Sequence, residues 1–468
     1  MNRSCNLQCC VSAHCKRAHS VGRQSGQALV YGLFMLMAGA VALIFLFNVG
    51  QLTHEKTKLV NTGDAVAYSA GIMHARAMNH MAYTNRALVA DEIAIAQSVS
   101  LASWGEYLQE HGQNAMALGC NPENLDVSEP VIEQMVRYAP ICIVLGTAAQ
   151  AQTLGGIAVH DTLGAAVNAA EVSKDILKKS QTVVKEGLVI VRAAVMQEVA
   201  NANYANDGAV TVELRPLRDT FTGDGETPSI INAYSGEGRK RMRDLEVNIV
   251  NKDGFTPTRN WSDQALVIAC AFDGIYFNEV DRSGGTQLIG FDEWQSSDQA
   301  NYHRWHLVRP RFGTPYCSES VSSMGTGRQT ASASGSKSVG SDNWAYSGVP
   351  SYMDLSEDAL EKIDPRVQFV IRVFRNADQV RTTDGRSAIH STPRLANFQN
   401  GVGPAGGSGD TAYVSLAASE TFFQRPNARA DGKKELASLF NPYWQTHLME
   451  VPIAARKEAQ LMQGLVLP

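Results

Sequence analysis

No residue between Arg23 and Glu55 carries a charge, and this constrains the chain more than any other feature. Inside that window Ala28 to Phe47, ALVYGLFMLMAGAVALIFLF, is apolar on every helical side. A helix rises about 1.5 Å per residue, so about 20 residues cross a hydrocarbon core of about 30 Å. A helix apolar all round belongs in a deep core or in a bilayer, and this run predicts a transmembrane helix over residues 27–50. Arg3, Lys16, Arg17 and Arg23 precede it without any Asp or Glu, whereas Glu55, Lys56 and Lys58 follow as a mixed set. The positive-inside rule then predicts a cytoplasmic tail over 1–26 and the bulk of the chain outside. A cleaved secretory signal has a shorter apolar region, about 7–15 residues, followed by a small-residue cleavage site. Here the helical pattern runs on past the apolar stretch, which predicts a retained anchor.

The first proline is Pro122, so nothing forbids one helix from Ala28 to about His111, although Gly63, Gly71 and Gly105 weaken it. Beyond the anchor, Leu59, Val66, Ala70, Met73, Ala77, Met81, Leu88, Ile95, Val99 and Ala102 fall near one stripe. That stripe predicts a face offered to a partner helix. The loop 119–130 interrupts it, and Ala-rich helical sequence resumes over about 131–206, ending at Asn206-Asp207-Gly208. Residues 51–206 thus read as a helical hairpin or bundle.

After Gly208 short runs such as AVTVELRPL, LEVNIV, ALVIACAF, YHRWHLVRP and VQFVIRVF read as strands. Ser318 to Asn343 and Gly401 to Asp410, rich in Ser, Gly and Thr or in Gly, read as mobile loops. The expected fold class is α+β: a transmembrane helix, a helical hairpin or bundle, then an α+β domain over 209–453 with long loops and a tail over 454–468. With 468 residues, about two or three domains are expected. A net charge of -5 gives no reason to expect nucleic-acid binding.

The eight cysteines divide at the anchor. Cys5, Cys9, Cys10 and Cys15, near His14 and His19, have a spacing that fits no standard zinc pattern. On the far side an oxidising compartment favours pairing of Cys120, Cys142, Cys270 and Cys317. Of the three pairings of four, the sequence-local choice is Cys120–Cys142 with Cys270–Cys317.

Motifs of chemistry are weak. Asp354-Leu355-Ser356-Glu357-Asp358 approaches the Asp-x-Ser-x-Ser metal motif of von Willebrand-type domains, but Asp replaces the last Ser and PSYM before it is no hydrophobic strand. Ser356-Glu357-Asp358 reads instead as the start of a helix, EDALEKI. His303 and His306 form H-x-x-H, which strand neighbours would place on opposite faces. His160-Asp161 is an adjacent pair without a nucleophile elbow. The segment GDGET, 223–227, is a turn without phosphate-loop context. No catalytic residue, metal or cofactor is expected.

The most informative segment is RQSGQALVYGLFMLMAGAVALIFLFNVGQ followed by KLVNTGDAVAYSAG. A basic stretch, a glycine, an apolar helix and then Asn61, Asp64, Ala65, Ala67 and Ala70 resemble the TadE/TadG-like family of Flp (tight-adherence) pilus assembly proteins, firmly over about residues 23–75. NPYWQTHL, 441–448, looks like the C-terminal part of longer members. The resemblance implies a single-pass, non-catalytic assembly or structural component in a bacterial inner membrane, with the C-terminal bulk periplasmic. Its implied partners are other Tad/Flp pilus assembly membrane proteins or pseudopilins. The expected helix-interaction face is Asn61, Asp64, Val66, Ala70, Met73 and Ala77, where Asp64 either docks on a small-residue face or caps a helical turn after Gly63. One departure matters: processed Flp-type pilins carry Glu five residues after the glycine, and here Tyr31 follows Gly26 at that distance. The anchor is therefore expected to stay uncleaved. A membrane-anchored surface adhesin or binding module, and then a periplasmic enzyme, are the alternative readings.

Overall fold

A computed structural model of the chain describes residues 27–117, 132–223, 228–266, 270–272, 274–376, 379–380 and 412–462. It opens on a single helix of 91 residues, α1 (Gln27–Ala117), and continues in one of 72, α2 (Ile132–Asn203). The strands begin with β1 (Thr211–Val212), β2 (Arg218–Asp219) and β3 (Ile231–Tyr234), followed by α3 (Lys240–Val250). Next come β4 (Trp261–Leu266), β5 (Phe277–Ile289), β6 (Glu293–Val308), β7 (Tyr316–Ser332) and β8 (Asn343–Ala345). The chain closes with β9 (Tyr352–Leu355), α4 (Glu357–Leu360), β10 (Val367–Asn376), β11 (Ala412–Phe423), β12 (Trp444–Met449) and α5 (Ile453–Met462). The fold is mixed helix and sheet.

The strands form three sheets. The first has the order β1-β10-β11-β12 with β2 also on β10, the second is the pair β3-β9, and the third has the order β4-β5-β6-β7-β8. All pairs are antiparallel except β7 with β8. α1 is the spine on which all three are mounted. The first sheet meets α1 near Leu59 to Ala70, where Phe369, Ile371, Val373 and Ala417 pack. The β3-β9 pair and α3 meet it near Met78 to Val89, and the third sheet near Ile95 to Ala102, where Trp294 and Ala331 pack. From Glu55 to His111 the spine runs about 84 Å at the helical rise.

α2 lies antiparallel beside α1. Tyr204 donates to Glu55 at 2.9 Å, Arg192 to His74 at 2.6 Å, and Lys174 pairs with Glu92 at 2.5 Å. Val167, Ala170, Lys174, Gln181, Leu188, Arg192, Met196 and Ala200 are its buried face, at helical spacing. Helices and sheets therefore share their cores. Leu188 of α2, Met78 and Met81 of α1, and Ile231, Leu355 and Trp444 of three strands form one cluster. Residues 51–206 and 209–453 do not close over separate interiors.

Three local expectations are corrected. LEVNIV is the end of α3: Met242, Glu246 and Val250, four apart, are its buried side, and Met242 packs with Leu88 and Val89. Tyr352 to Leu355, where PSYM reads as no hydrophobic strand, is a strand buried at every position. Ser318 to Asn343 is no loop over most of its length, since β7 pairs with β6 from Tyr316 to Ser332. The low side-chain mass of β7 lets its backbone lie directly on α1. A Cβ at Gly327 would come within 2.0 Å of the Ser103 carbonyl oxygen, and one at Gly325 within 2.8 Å of the His111 nitrogen. Glu106 and Glu110 then accept from the Arg328 and Thr326 amides at 2.6 Å. The Gly401 to Asp410 stretch lies outside the described residues.

Candidate interaction surfaces of the helical layer

The inner face of the α1–α2 layer is closed by polar groups as much as by apolar ones. Asn79 acts as an extra strand edge, donating to the Trp444 carbonyl and accepting from its amide, each at 3.0 Å. Asn85 donates to the Met353 and Leu439 carbonyls at 2.8 and 2.6 Å, and Gln181 donates to Asn85 at 2.7 Å. Strand edges that would otherwise be orphaned in the core are thus satisfied by helix side chains. His74 is fully buried against Phe221, accepts from Arg192, and Arg192 also donates to Asp219 at 2.6 Å. Burial and the adjacent Arg192 lower the His74 pKa to about 3, so the imidazole is neutral.

Higher on the spine Glu92 receives Lys174, the Tyr346 hydroxyl at 2.7 Å and the Trp294 indole N–H at 3.2 Å. Lys174 also reaches Glu171 at 2.6 Å and the Gly348 carbonyl at 2.9 Å. Burial works against the ammonium, but Glu92 and Glu171 outweigh it and hold its pKa above the ordinary value. Burial, with Glu92 nearby, pushes the Glu246 carboxyl well up, and its oxygens have no hydrogen-bond partner among the described residues. These groups are wedged between helices and sheet. Lys174, Glu92 and Glu171 each fix a contact between elements, whereas Arg192 and Asp219 also line a cleft of about 350 Å³ with Arg215, Arg218, Thr222 and Glu458.

The expected interaction face is corrected by this packing. Val66 and Ala70 are fully buried in the cluster beneath β10 and β11, and Ala77 is buried below the β3-β9 pair, with Met73 packed at its edge. The stripe is therefore covered within this chain, by its strands and by Leu188, Met196 and Ala200 of α2. Ala70→Arg would disrupt this core rather than a contact with another molecule. Asn61 is exposed and Asp64 half-buried, and burial raises the Asp64 pKa.

The other candidates are placed as follows. Asp354 is buried, pairs with Arg241 at 2.7 Å and accepts the Leu439 amide at 2.9 Å, so its oxygens serve the fold. Ser356 precedes α4 without a side-chain capping bond. His303 on β6 lies between Asp281 of β5 at 2.9 Å and Glu319 of β7 at 2.8 Å. The hydrogen bond to Glu319, followed by Asp281, raises its pKa. His306 is three residues along the same strand and so on the other face. His160 bonds Gln329 at 2.9 Å. Cys270 and Cys317 are joined by a disulfide, Cα to Cα 5.9 Å, tying the segment before β5 to the start of β7. Cys5, Cys9, Cys10, Cys15, Cys120, the Cys142 side chain and most of GDGET lie outside the described residues. Among the described residues no three or more His, Cys, Asp or Glu side chains form a group that could hold a metal ion.

Two bare apolar surfaces remain. The first is Ala28 to Phe47 of α1, whose side chains stand exposed, Leu29 at 77% and Phe45 at 66%. Among the described residues this is one helix long and apolar enough to cross a membrane. The second is the outward side of α2. Val172, Ile176, Val183 and Ile190 are between 60% and 75% exposed, and Ala165, Ala169 and Ala194 continue their line. Gly187 falls in the same line with nothing within 4 Å of the place a Cβ would take. The one charge in the line, Lys179, is paired with Asp175 at 2.6 Å. Helical spacing was legible in 131–206, but nothing in the sequence says which of two apolar sides faces inward.

No protein-family model, curated protein or solved structure matches this chain.

Proposed function

We propose that this chain is a membrane-anchored, non-catalytic assembly or structural component of a Tad/Flp-type pilus or secretion system. The observation that carries the proposal is the continuity of α1. Its apolar segment 28–47 is bare, and the same helix then becomes the spine that carries every sheet. A helix that is apolar all round over that length is stable in a bilayer and costly in water. Rigid continuation of the helix would hold the sheets at fixed heights above a membrane, which suits a part that must be presented to others. The buried pairs Lys174–Glu92 and Arg259–Asp298 join separate elements of the chain, as a rigid scaffold requires. The resemblance of residues 23–75 to TadE/TadG-like proteins supplies the system, and with it an inner membrane, a cytoplasmic N-terminus, a periplasmic bulk and pilus-assembly partners.

Reporter fusions after residues 60 and 200 test the topology, with activity expected only from periplasmic reporters. Alkaline carbonate should leave the full chain in the membrane pellet. Extraction into the supernatant, or a cytoplasmic reporter active after residue 200, would overturn the reading. Mass spectrometry should find no mature N-terminus at Gln27.

One observation favours the binding-module alternative. At the end of the third sheet, around the Cys270–Cys317 disulfide, Phe272, Ile275 and Phe312 are exposed, Phe312 at 90%. Retention of Tad-dependent assembly in a Phe272→Ser/Ile275→Ser/Phe312→Ser variant that has lost surface attachment would favour it.

A further inference from the structure

We infer that the outward side of α2 is the seam of a parallel pair formed with a second copy of this chain in the same membrane. This rests on the membrane-anchored reading and adds a partner to it. The solvent side of a surface helix is normally polar. Here Ala165, Ala169, Val172, Ile176, Val183, Gly187, Ile190 and Ala194 run along it, broken only by Lys179. At 100° per residue these positions stay within about 40° of the Val183 direction. A straight apolar line of this kind matches another helix, and small residues in it allow close approach.

The identity of the partner follows from geometry and charge. Two copies held by α1 stand in one orientation, so α2 meets α2 in parallel about a two-fold axis, each residue level with its own counterpart. The same operation brings the edge carrying Asp175, Lys179 and Glu186 against the opposite edge of the other helix, which carries Ser173, Ser180 and Gly187. Like charges are thereby kept apart. Beyond that second edge lies the outer side of α1, where Arg76 is exposed and has no ion-pair partner among the described residues. Glu186 faces that side. An antiparallel pair would use the same stripe but would need one copy inverted in the membrane.

The area argues for a pair that depends on the anchor. Residues 165–194 cover about 44 Å of helix, and a helix is about 10 Å wide, so two copies would bury on the order of 900 Å². That is below the 1,200–2,000 Å² of stable complexes. Confinement of both chains to one membrane raises their effective concentration and compensates.

The test is oxidative cross-linking of the full-length chain in membranes, with the wild-type chain as background. Ile176→Cys, Val183→Cys and Ile190→Cys should each give a disulfide-linked dimer several-fold above Thr182→Cys, which is exposed but off the line. Val183→Glu placed in the Ile176→Cys chain should abolish that dimer while carbonate resistance and thermal melting stay unchanged, Val183 being 68% exposed. Loss of carbonate resistance in the single-Cys chains would count against anchoring, and no dimer from Ile176→Cys, Val183→Cys or Ile190→Cys in chains that keep carbonate resistance would count against the pair. The inference is overturned by equal yields at all four positions or by adducts of another size. It is also overturned if co-expressed Ile176→Cys and Ile190→Cys chains link to each other in preference to themselves, the antiparallel outcome.

Discussion

On the inner side of α2, Lys174 is completely buried among carboxylates and rings. On the outer side of the same helix, Val183 and Ile190 are 68% and 75% exposed. Buried charge and exposed aliphatic groups thus stand on opposite sides of one helix, although Val167, Leu188 and Met196 keep the inner side mostly apolar. Inside, charges are tolerated because each is met by an opposite charge or a hydrogen bond from a neighbouring element, at short and fixed distances. Outside, the aliphatic groups of Val172, Ile176, Val183 and Ile190 stand mostly exposed. Helical periodicity therefore identifies two faces here without ranking them, and burial of a charge marks the packed face more reliably than hydrophobicity does.

The comparison would break first at Lys174. Removing its ammonium leaves Glu92 and Glu171 without their cation, and Glu92 lies in a site of zero exposure. Lys174→Met should destabilise the folded chain by about 3–5 kcal/mol, read as a fall in the denaturant midpoint. An unchanged midpoint would mean that these charges are solvated and that the inner face is not closed.

Acid should act next, through His74. Its folded pKa, about 3, lies below the ordinary 6.5. The unfolded chain therefore binds more protons between those values, and stability falls as pH drops through that window. The His74 contribution amounts to about 3 kcal/mol by pH 4 at about 1.36 kcal/mol per unit. Asp219, which Arg192 holds below its usual range despite burial, works in the same direction. Glu246 works in the opposite one, because its raised pKa makes ionisation on unfolding a cost to stability as pH rises. The difference in pH slope between the wild-type chain and His74→Asn isolates the histidine, and the variant should be the flatter of the two.

Much of the spine was legible in advance, and the reason is simple periodicity. Leu59, Val66, Ala70, Met81, Leu88, Ile95, Val99 and Ala102 repeat at helical intervals, and all are buried. What covers them was not legible, because a helical stripe fits a strand layer as well as another helix. The polar members of the packed face, His74, Asn79, Asn85 and Glu92, carry the signal that was passed over. Their amides and charges sit near the stripe, where a bare helix–helix contact would have little use for them. β7 was hidden for a different reason. Strand propensity reflects side chains that pack on a pleated surface, whereas this strand is rich in Ser, Thr and Gly, and Gly325 and Gly327 let its backbone rest on α1.

That account of β7 can be sharpened at Gly327. A methyl group there would meet the Ser103 carbonyl oxygen at 2.0 Å and the Tyr107 nitrogen at 2.5 Å, both backbone atoms of a rigid helix. Gly327→Ala should cost about 1–3 kcal/mol, the usual range for overpacking, and should loosen the third sheet from α1 before the first. Hydrogen exchange would then rise in β6 and β7 ahead of β10 and β11. A uniform rise would show that the sheets leave the spine together.

The smallest effect belongs to the outer face, and its sign is opposite. Gly187 lies in the interior of α2, where glycine costs conformational entropy relative to alanine, and the position is open on all sides. Gly187→Ala should therefore stabilise the single chain by about 0.5–1 kcal/mol, in contrast to the same substitution at Gly327. The parallel pair adds a second expectation. A methyl group can be seated at a helix seam, whereas Gly187→Leu would hold the two helices apart. Thermal melting should rise slightly for Gly187→Ala, with dimer cross-linking through Val183→Cys retained. For Gly187→Leu, melting should hold while cross-linking falls. If Gly187→Leu left cross-linking untouched, the seam would have to pass on the Asp175 and Glu186 side of Val183, away from Gly187.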